Sequence, residues 1–258
     1  MQQIEPFETG RPMRANEAAA TKPKASGMAR LALVIVLIVI ALAAAGAAYI
    51  WFSGGSGEAS AAITAPALEL QPGDTRSLFS IEPSASEARF IIDEILLGEP
   101  KTVIGTTNEV AGDMLIDLNN PVNSVLGVIR INVRTLETDN EFRTRALRGQ
   151  ILQADRPEYE FATFTPTELV GLPESVAIGE AFTFQVVGSL TVHGVSREVT
   201  FDATVTPINE SVIEGTASAL VSYRDFGMSI PEASGVAGIS DDVRLEIDFS
   251  AQTTNAQN

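Results

Sequence analysis

From Ser77 onward the chain alternates apolar and polar residues with a period of two. Phe182, Phe184, Val186, Leu190 and Val192 fall on one face, and Thr183, Gln185, Ser189 and Thr191 on the other. Further on, Val199, Phe201, Ala203 and Val205 alternate with Glu198, Thr200, Asp202 and Thr204. The same pattern sets Ile129, Ile131 and Val133 against Arg130, Asn132 and Arg134, and Val243, Leu245, Ile247 and Phe249 against Arg244, Glu246 and Asp248. A period of two places successive side chains on opposite faces of a strand. One wet face and one dry face is the signature of antiparallel sheet.

About eight such segments follow one another, several of them long, and their dry faces must be covered by a second layer or by closure into a barrel. One helix interrupts them, in "TLETDNEFRTRALRGQIL". There Thr138 and Glu141 have the spacing of a capping box and Gly149 is the expected stop. One short helix covers too little of a sheet. The expected fold is therefore all-β: an antiparallel barrel of about eight strands with one inserted helix, a size that its own side chains can fill or that can hold one small ligand.

The pattern changes completely nearer the N-terminus. Residues 31–52, "LALVIVLIVIALAAAGAAYIWF", carry no charge. As a helix they would be ~33 Å long against a hydrocarbon core of ~30 Å. Tyr49 and Trp51 stand at one end, where interfacial aromatics belong. Arg11, Arg14, Lys22, Lys24 and Arg30 precede the run, whereas the first basic residue after it is Arg76. The positive-inside rule then puts the N-terminus in the cytoplasm and the barrel outside, in a single-pass membrane protein. A cleaved signal peptide is the competing reading, since "ALAAAGAA" offers small-residue cleavage sites. A signal core is typically ~7–15 residues, so an uncleaved anchor is expected.

The chain accordingly divides into a polar, disordered cytoplasmic tail (1–30), a transmembrane helix (31–52), a flexible linker rich in Gly, Ser, Ala and Pro (53–76), the barrel (77–251) and a C-terminal tail (252–258).

Charge and composition narrow the function. From residue 53 onward there are 12 basic and 30 acidic residues, a net of −18. Phosphate backbones need clustered Lys and Arg, so nucleic acid is not an expected partner. Cysteine is absent and His193 is the only histidine, which excludes disulfides, thiolate chemistry and a His-rich metal site. No cofactor or metal is expected. Asp241 and Asp242, with Asp225 upstream, lack the spacing of a calcium loop. Arg143, Arg145 and Arg148 on the helix are read as a solvated face rather than a head-group site. His193 stands where the inward face changes from even to odd positions, beside Gly194, which marks a turn. No Gly-x-Ser-x-Gly elbow accompanies it, so it is expected to be structural rather than a catalytic base.

The hairpin "LTVHGVSREVTFDATV" strongly resembles the signature of the YceI-like family. Other pieces follow in that family's order: "GDMLIDL" (112–118), "RINVRTLETDNEFRTRALRG" (130–149), "RPEYEFATFTPT" (156–167), then "YRDFGM" and "SDDVRLEIDFSA". The resemblance covers about residues 77–251 and implies a lipocalin-like antiparallel barrel with an inserted helix. It also implies an envelope or secreted bacterial protein that binds long apolar molecules, notably polyisoprenoids, inside the barrel. By position, His193 and Gly194 match the family's turn, and Asp225, Phe226 and Gly227 its Asp-Phe-Gly corner; none is catalytic in that picture. The first strand departs from the family, with "IEPSASEARF" lacking the usual histidine, as does "IIDEILLGEPKTVIGTTNEV".

The inward positions of such a bore would be Phe90, Ile92, Met114, Ile116, Ile129 and Ile131 from the first half of the barrel. Phe182, Phe184, Phe201, Phe226 and Met228 would complete it. Periodicity cannot tell a hollow bore from a filled one, and alone it favours a packed core; the resemblance reverses that preference. Three functions follow in order. The first is a membrane-anchored carrier of a polyisoprenoid or similar lipid. The second is a structural or partner-binding envelope module with a packed barrel. The third is an enzyme using His193.

Overall fold

The computed structural model describes residues 27–254, with residues 27–30 described by their backbone alone; most of the expected cytoplasmic tail and the last four residues lie outside this range. The chain divides into two units, residues 1–45 and 46–258. Helix α1 (Gly27–Ser53) begins before the expected span and ends one residue after it. From Leu31 to Leu42 its large apolar side chains are all at least half exposed, on every side of the helix. Apolar all round, this helix is long and apolar enough to cross a membrane.

Beyond it, fourteen strand segments form one sheet, and they resolve into eight runs. These are β1 (Ser77–Ile81 and Glu87–Leu96), β2 (Glu99–Thr107, Val110–Ala111 and Asp113–Ile116) and β3 (Val125–Leu126, Ile129–Asn132 and Glu137–Thr138). Then come β4 (Phe161–Val170), β5 (Phe182–Val192), β6 (Val195–Asn209), β7 (Val212–Ser222) and β8 (Asp242–Thr253). The remaining segment, Val236–Ala237, pairs with Leu96 and Ile95 outside this series. Every run pairs antiparallel with its neighbours in sequence, from β1 with β2 through to β7 with β8. Run β8 then returns to β1, with Leu245 opposite Phe90 and Ala251 opposite Ile81. The result is an up-and-down barrel, the closed form that a series of two-faced strands reaches without leaving an edge.

The interruptions have local causes. Pro83 opens a short 3-10 turn that splits β1, and Asn132 accepts a bond from the Arg134 N–H where β3 breaks. The inserted helix α2 (Glu141–Ala146) corrects the sequence reading at both ends. Its cap is Asn140, whose side chain accepts from the backbone N–H groups of Phe142 and Arg143, not Thr138. Thr138 is instead tied to Thr144, whose Oγ1 lies 2.9 Å from the Thr138 backbone N. Nor does Gly149 stop the helix: a π turn (Leu147–Ile151) carries it onward. The three arginines are not a solvated face either. Arg143 pairs with Glu94 at 2.7 Å, Arg145 with Glu141 at 2.8 Å, and Arg148 is buried, its Nε donating to the Leu136 carbonyl at 2.8 Å.

Residues 54–76, expected as a flexible linker, form neither helix nor strand up to their end, yet side chains of the barrel hold them along their length. The Ser60 N–H and Oγ donate to the two oxygens of Glu160 at 2.9 and 2.7 Å. Arg130 donates to the Thr64 carbonyl at 3.0 Å, and Asp113 accepts from the Leu68 N–H at 3.1 Å. Glu160 is almost wholly buried. Burial pushes its carboxyl up, but the bonds from Ser60, the Arg134 charge and the Asn132 amide together outweigh this and leave it below the ordinary carboxylate value. A depressed carboxyl stabilises the fold above its unfolded pKa, and that contribution disappears as pH falls through the folded value. Glu160→Gln is therefore expected to cost about 1–3 kcal/mol near neutral pH. The gap to the unsubstituted protein should close in acid, below the usual carboxylate range. Urea midpoints of both proteins along a pH series measure this.

Candidate functional site

The inward faces of the eight runs enclose a cavity of about 780 Å³, within the range of pockets that take small molecules. All eleven positions expected to face the bore contribute to its lining: Phe90 and Ile92 from β1, Met114 and Ile116 from β2, Ile129 and Ile131 from β3. Phe182 and Phe184 come from β5, Phe201 from β6, and Phe226 and Met228 from the connection after β7. The rings are organised rather than scattered. Phe164 meets Phe201 edge-on at 5.0 Å, and Phe182 stacks with Phe184 at 5.7 Å. Both are favoured aromatic geometries.

Two kinds of residue besides the expected bore positions shape the wall. The first are small: Ala203 and Ala217 lie opposite each other on β6 and β7 and both line the cavity. With no side chain beyond Cβ, they leave room that a Leu or Phe would fill. The second are glycines under aromatic rings. Gly215 pairs with Phe249 across β7 and β8, and a Cβ there would stand 2.7 Å from the ring. Gly105 and Phe90 repeat the arrangement across β1 and β2. Each missing side chain leaves room for the neighbouring ring to lie over the strand while still lining the cavity. In-register Gly opposite Phe is the sequence signal, but it is visible only once the register is known.

The cavity is apolar along its walls and polar around α2. There Glu94, Asp139, Asn140, Arg143 and Gln150 line it beside Phe142. Glu94 is buried but paired with Arg143, which also pairs with Asp139. Among the described residues no group of three or more His, Asp or Glu side chains is placed to hold a metal ion; Asp241 pairs instead with Arg224 at 2.7 Å.

His193 is a turn residue. Its φ is 50° and that of Gly194 is 74°, so the β5–β6 hairpin turns on two left-handed residues, the arrangement whose twist matches flanking strands. Its ring packs on Tyr159 at 4.5 Å, and its buried Nε2 has no hydrogen-bond partner. A general base needs an aligned neighbour to hold it and a substrate proton within reach. His193→Asn is expected to keep or improve stability, because Asn tolerates left-handed backbone. Gly194→Val should lose about 1–2 kcal/mol from the same steric term, reinforced by Tyr159, whose ring a Cβ at 194 would approach to 3.0 Å. Thermal denaturation of the two variants separates these outcomes.

A family model described as the YceI-like domain matches residues 79–251. Among solved structures, the chain is similar to BcnA from Burkholderia cenocepacia, with 16% identity and a TM-score of 0.52 over 67% of this chain and 99% of that one. It is similar also to a structure from Saccharophagus degradans, with 16% identity and a TM-score of 0.53 over 68% of this chain and 98% of that one. That structure is described as a polyisoprenoid binding domain implicated in plant cell wall breakdown. Among curated proteins none matches.

Proposed function

Because the chain belongs to the YceI-like domain family, we propose that its barrel takes up one long apolar lipid of the polyisoprenoid class and sequesters or carries it outside the cytoplasm, anchored by residues 31–52. The observation that carries this reading is the cavity: about 780 Å³, walled by apolar side chains from across the barrel. Burying each methylene contributes up to ~0.8 kcal/mol before ordering costs, so a long chain gains what a short one does not. The polar collar at α2 suits the head of such a molecule and the apolar depth suits its tail. The description of the Saccharophagus degradans domain supports the same ligand class.

The anchor and its orientation rest on the exposed apolar helix and on the basic residues that precede it. An enzymatic reading has little support, since His193 sits in a turn with its Nε2 unpartnered. The test is native mass spectrometry of the whole chain in detergent, followed by organic extraction. A co-purifying lipid near one to one supports the carrier. A clean ligand-free mass that persists after incubation with polyprenyl lipids overturns it in favour of a scaffold with a packed barrel.

A further inference from the structure

We propose that the rim of the barrel beside α2 is a membrane-docking surface, seated on the lipid into which α1 inserts, so that the cavity opens onto the bilayer. This rests on the reading of α1 as a membrane anchor. The occupant is the lipid surface itself.

A span ending near Phe52 would leave more than twenty residues of slack before Ser77 if the intervening segment were free. There is no such slack. Ile50, in the last turn of α1, lines the cavity together with Phe142 and Ala146 of α2. The Trp51 ring packs against Phe142 at 5.8 Å. The Arg145 guanidinium lies 3.9 Å above the Trp51 ring, and its Nη1 donates to the Trp51 carbonyl at 2.8 Å. Chain and barrel therefore touch at the very residues where the apolar run ends.

The glycines that suggest flexibility serve close approach. A Cβ on Gly54 would stand 2.6 Å from the Arg145 Cα, and one on Gly149 would run into the Ser53 carbonyl and stand 2.9 Å from the Gly54 nitrogen. These neighbours are backbone, which cannot swing aside. The segment is fitted to α2 and its π turn.

The surface so fixed has the character of a membrane interface. Phe52 is 82% exposed, Phe142 51% and Trp51 41%. Aromatic side chains of this kind concentrate at head-group depth. At the rim Glu94, Glu137, Asp139 and Glu141 pair with Lys101, Arg143, Arg145 and Arg148. The chain from residue 53 onward carries a net −18, and the rest of its surface is repelled by an anionic leaflet. The aromatic rim is the part of the barrel that such a surface would accept. A lipid could then pass between bilayer and cavity without crossing water.

The chain lacks cysteine, so a single introduced thiol can be labelled uniquely. Glu137→Cys places a fluorophore beside Arg148 near the α2 rim, and Ile178→Cys places one in the loop preceding β5, at the opposite end of that strand from His193. The whole chain is reconstituted in phosphatidylcholine–phosphatidylglycerol vesicles, recovered by flotation, and exposed to a quencher carried on lipid head groups. Quenching at 137 is expected to exceed that at 178 severalfold. Gly149→Ala should reduce that difference towards equality, because its new methyl drives Ser53 off α2 while alanine favours the helix it joins. Equal quenching at both sites, or stronger quenching at 178, overturns docking. Oxidative disulfide cross-linking between copies of the unlabelled Glu137→Cys protein, with loss of quenching in the labelled one, overturns it in favour of a second copy as occupant. A chain that fails to float overturns the anchor and the docking together, and flotation tells that failure apart from a floating chain with equal quenching. The readout is independent of whether the cavity holds lipid.

Discussion

Replacing Ala217 by tryptophan is expected to lower lipid occupancy at least about tenfold, the equivalent of about 1.4 kcal/mol, and to leave the barrel folded. Ala217 lies on β7 between Ala203 of β6 and Ile247 of β8, and its side chain faces the cavity. An indole there takes up part of the 780 Å³ that a lipid tail would need. The effect on stability separates the two leading functions. In a packed core, an added ring forces neighbours off their rotamers and costs about 1–3 kcal/mol or more. In a hollow bore it finds apolar walls and vacant space, so stability should hold or rise. Retained lipid from a destabilised Ala217→Trp barrel would reverse both expectations. The measurement pairs extracted lipid per protein with a denaturant midpoint, and Ala217→Val serves as the smaller step on the same axis.

Phe79→Ala is expected to cost about 3–5 kcal/mol, at least about a fifth of the ~5–15 kcal/mol that usually holds a domain together. Phe79 is fully buried in a cluster with Val110, Met114, Val205, Ile213 and Ala251, away from α2. It stands in the first segment of β1, opposite Met114 of β2 and Thr253 of β8. Its loss therefore leaves a void where three runs meet. Far-UV circular dichroism through a urea titration gives the shift in midpoint. A change below 1 kcal/mol would mean that the surrounding side chains had collapsed into the space.

The sequence exposes what depends on local periodicity. Alternation along Phe182–Val192 and Val195–Asn209 reveals which residues face inward, and the change of parity at His193 reveals the turn, because both are properties of one short stretch. The nine bore positions that lie on strands follow the same alternation, whereas Phe226 and Met228 stand in the connection after β7, where no alternation runs. What depends on partners far along the chain is not legible. Ser60 and Glu160 are a hundred residues apart, so nothing near Ser60 distinguishes a strap held by a buried carboxylate from a free Gly/Ser linker. Arg143, Arg145 and Arg148 have the spacing of an exposed helix face, yet Glu94, Trp51 and Leu136 claim them from elsewhere. At α2, Thr138 and Asn140 are both good caps two residues apart, and the bond between Thr138 and Thr144 decides the choice.

The connectivity of the barrel also governs how it must be assembled. Seven of the eight junctions join runs adjacent in sequence, and only β8 to β1 spans nearly the whole domain. Local hairpins close early and distant pairings late, since the entropy of a long loop must be lost before its contacts form. Until Asp242–Thr253 has been synthesised and paired, β1 and β7 both present open strand edges to their surroundings. Open edges recruit other chains. The last twelve-residue strand thus decides between a closed ring and an aggregating sheet, and a chain truncated before it should be lost to self-association rather than merely weakened.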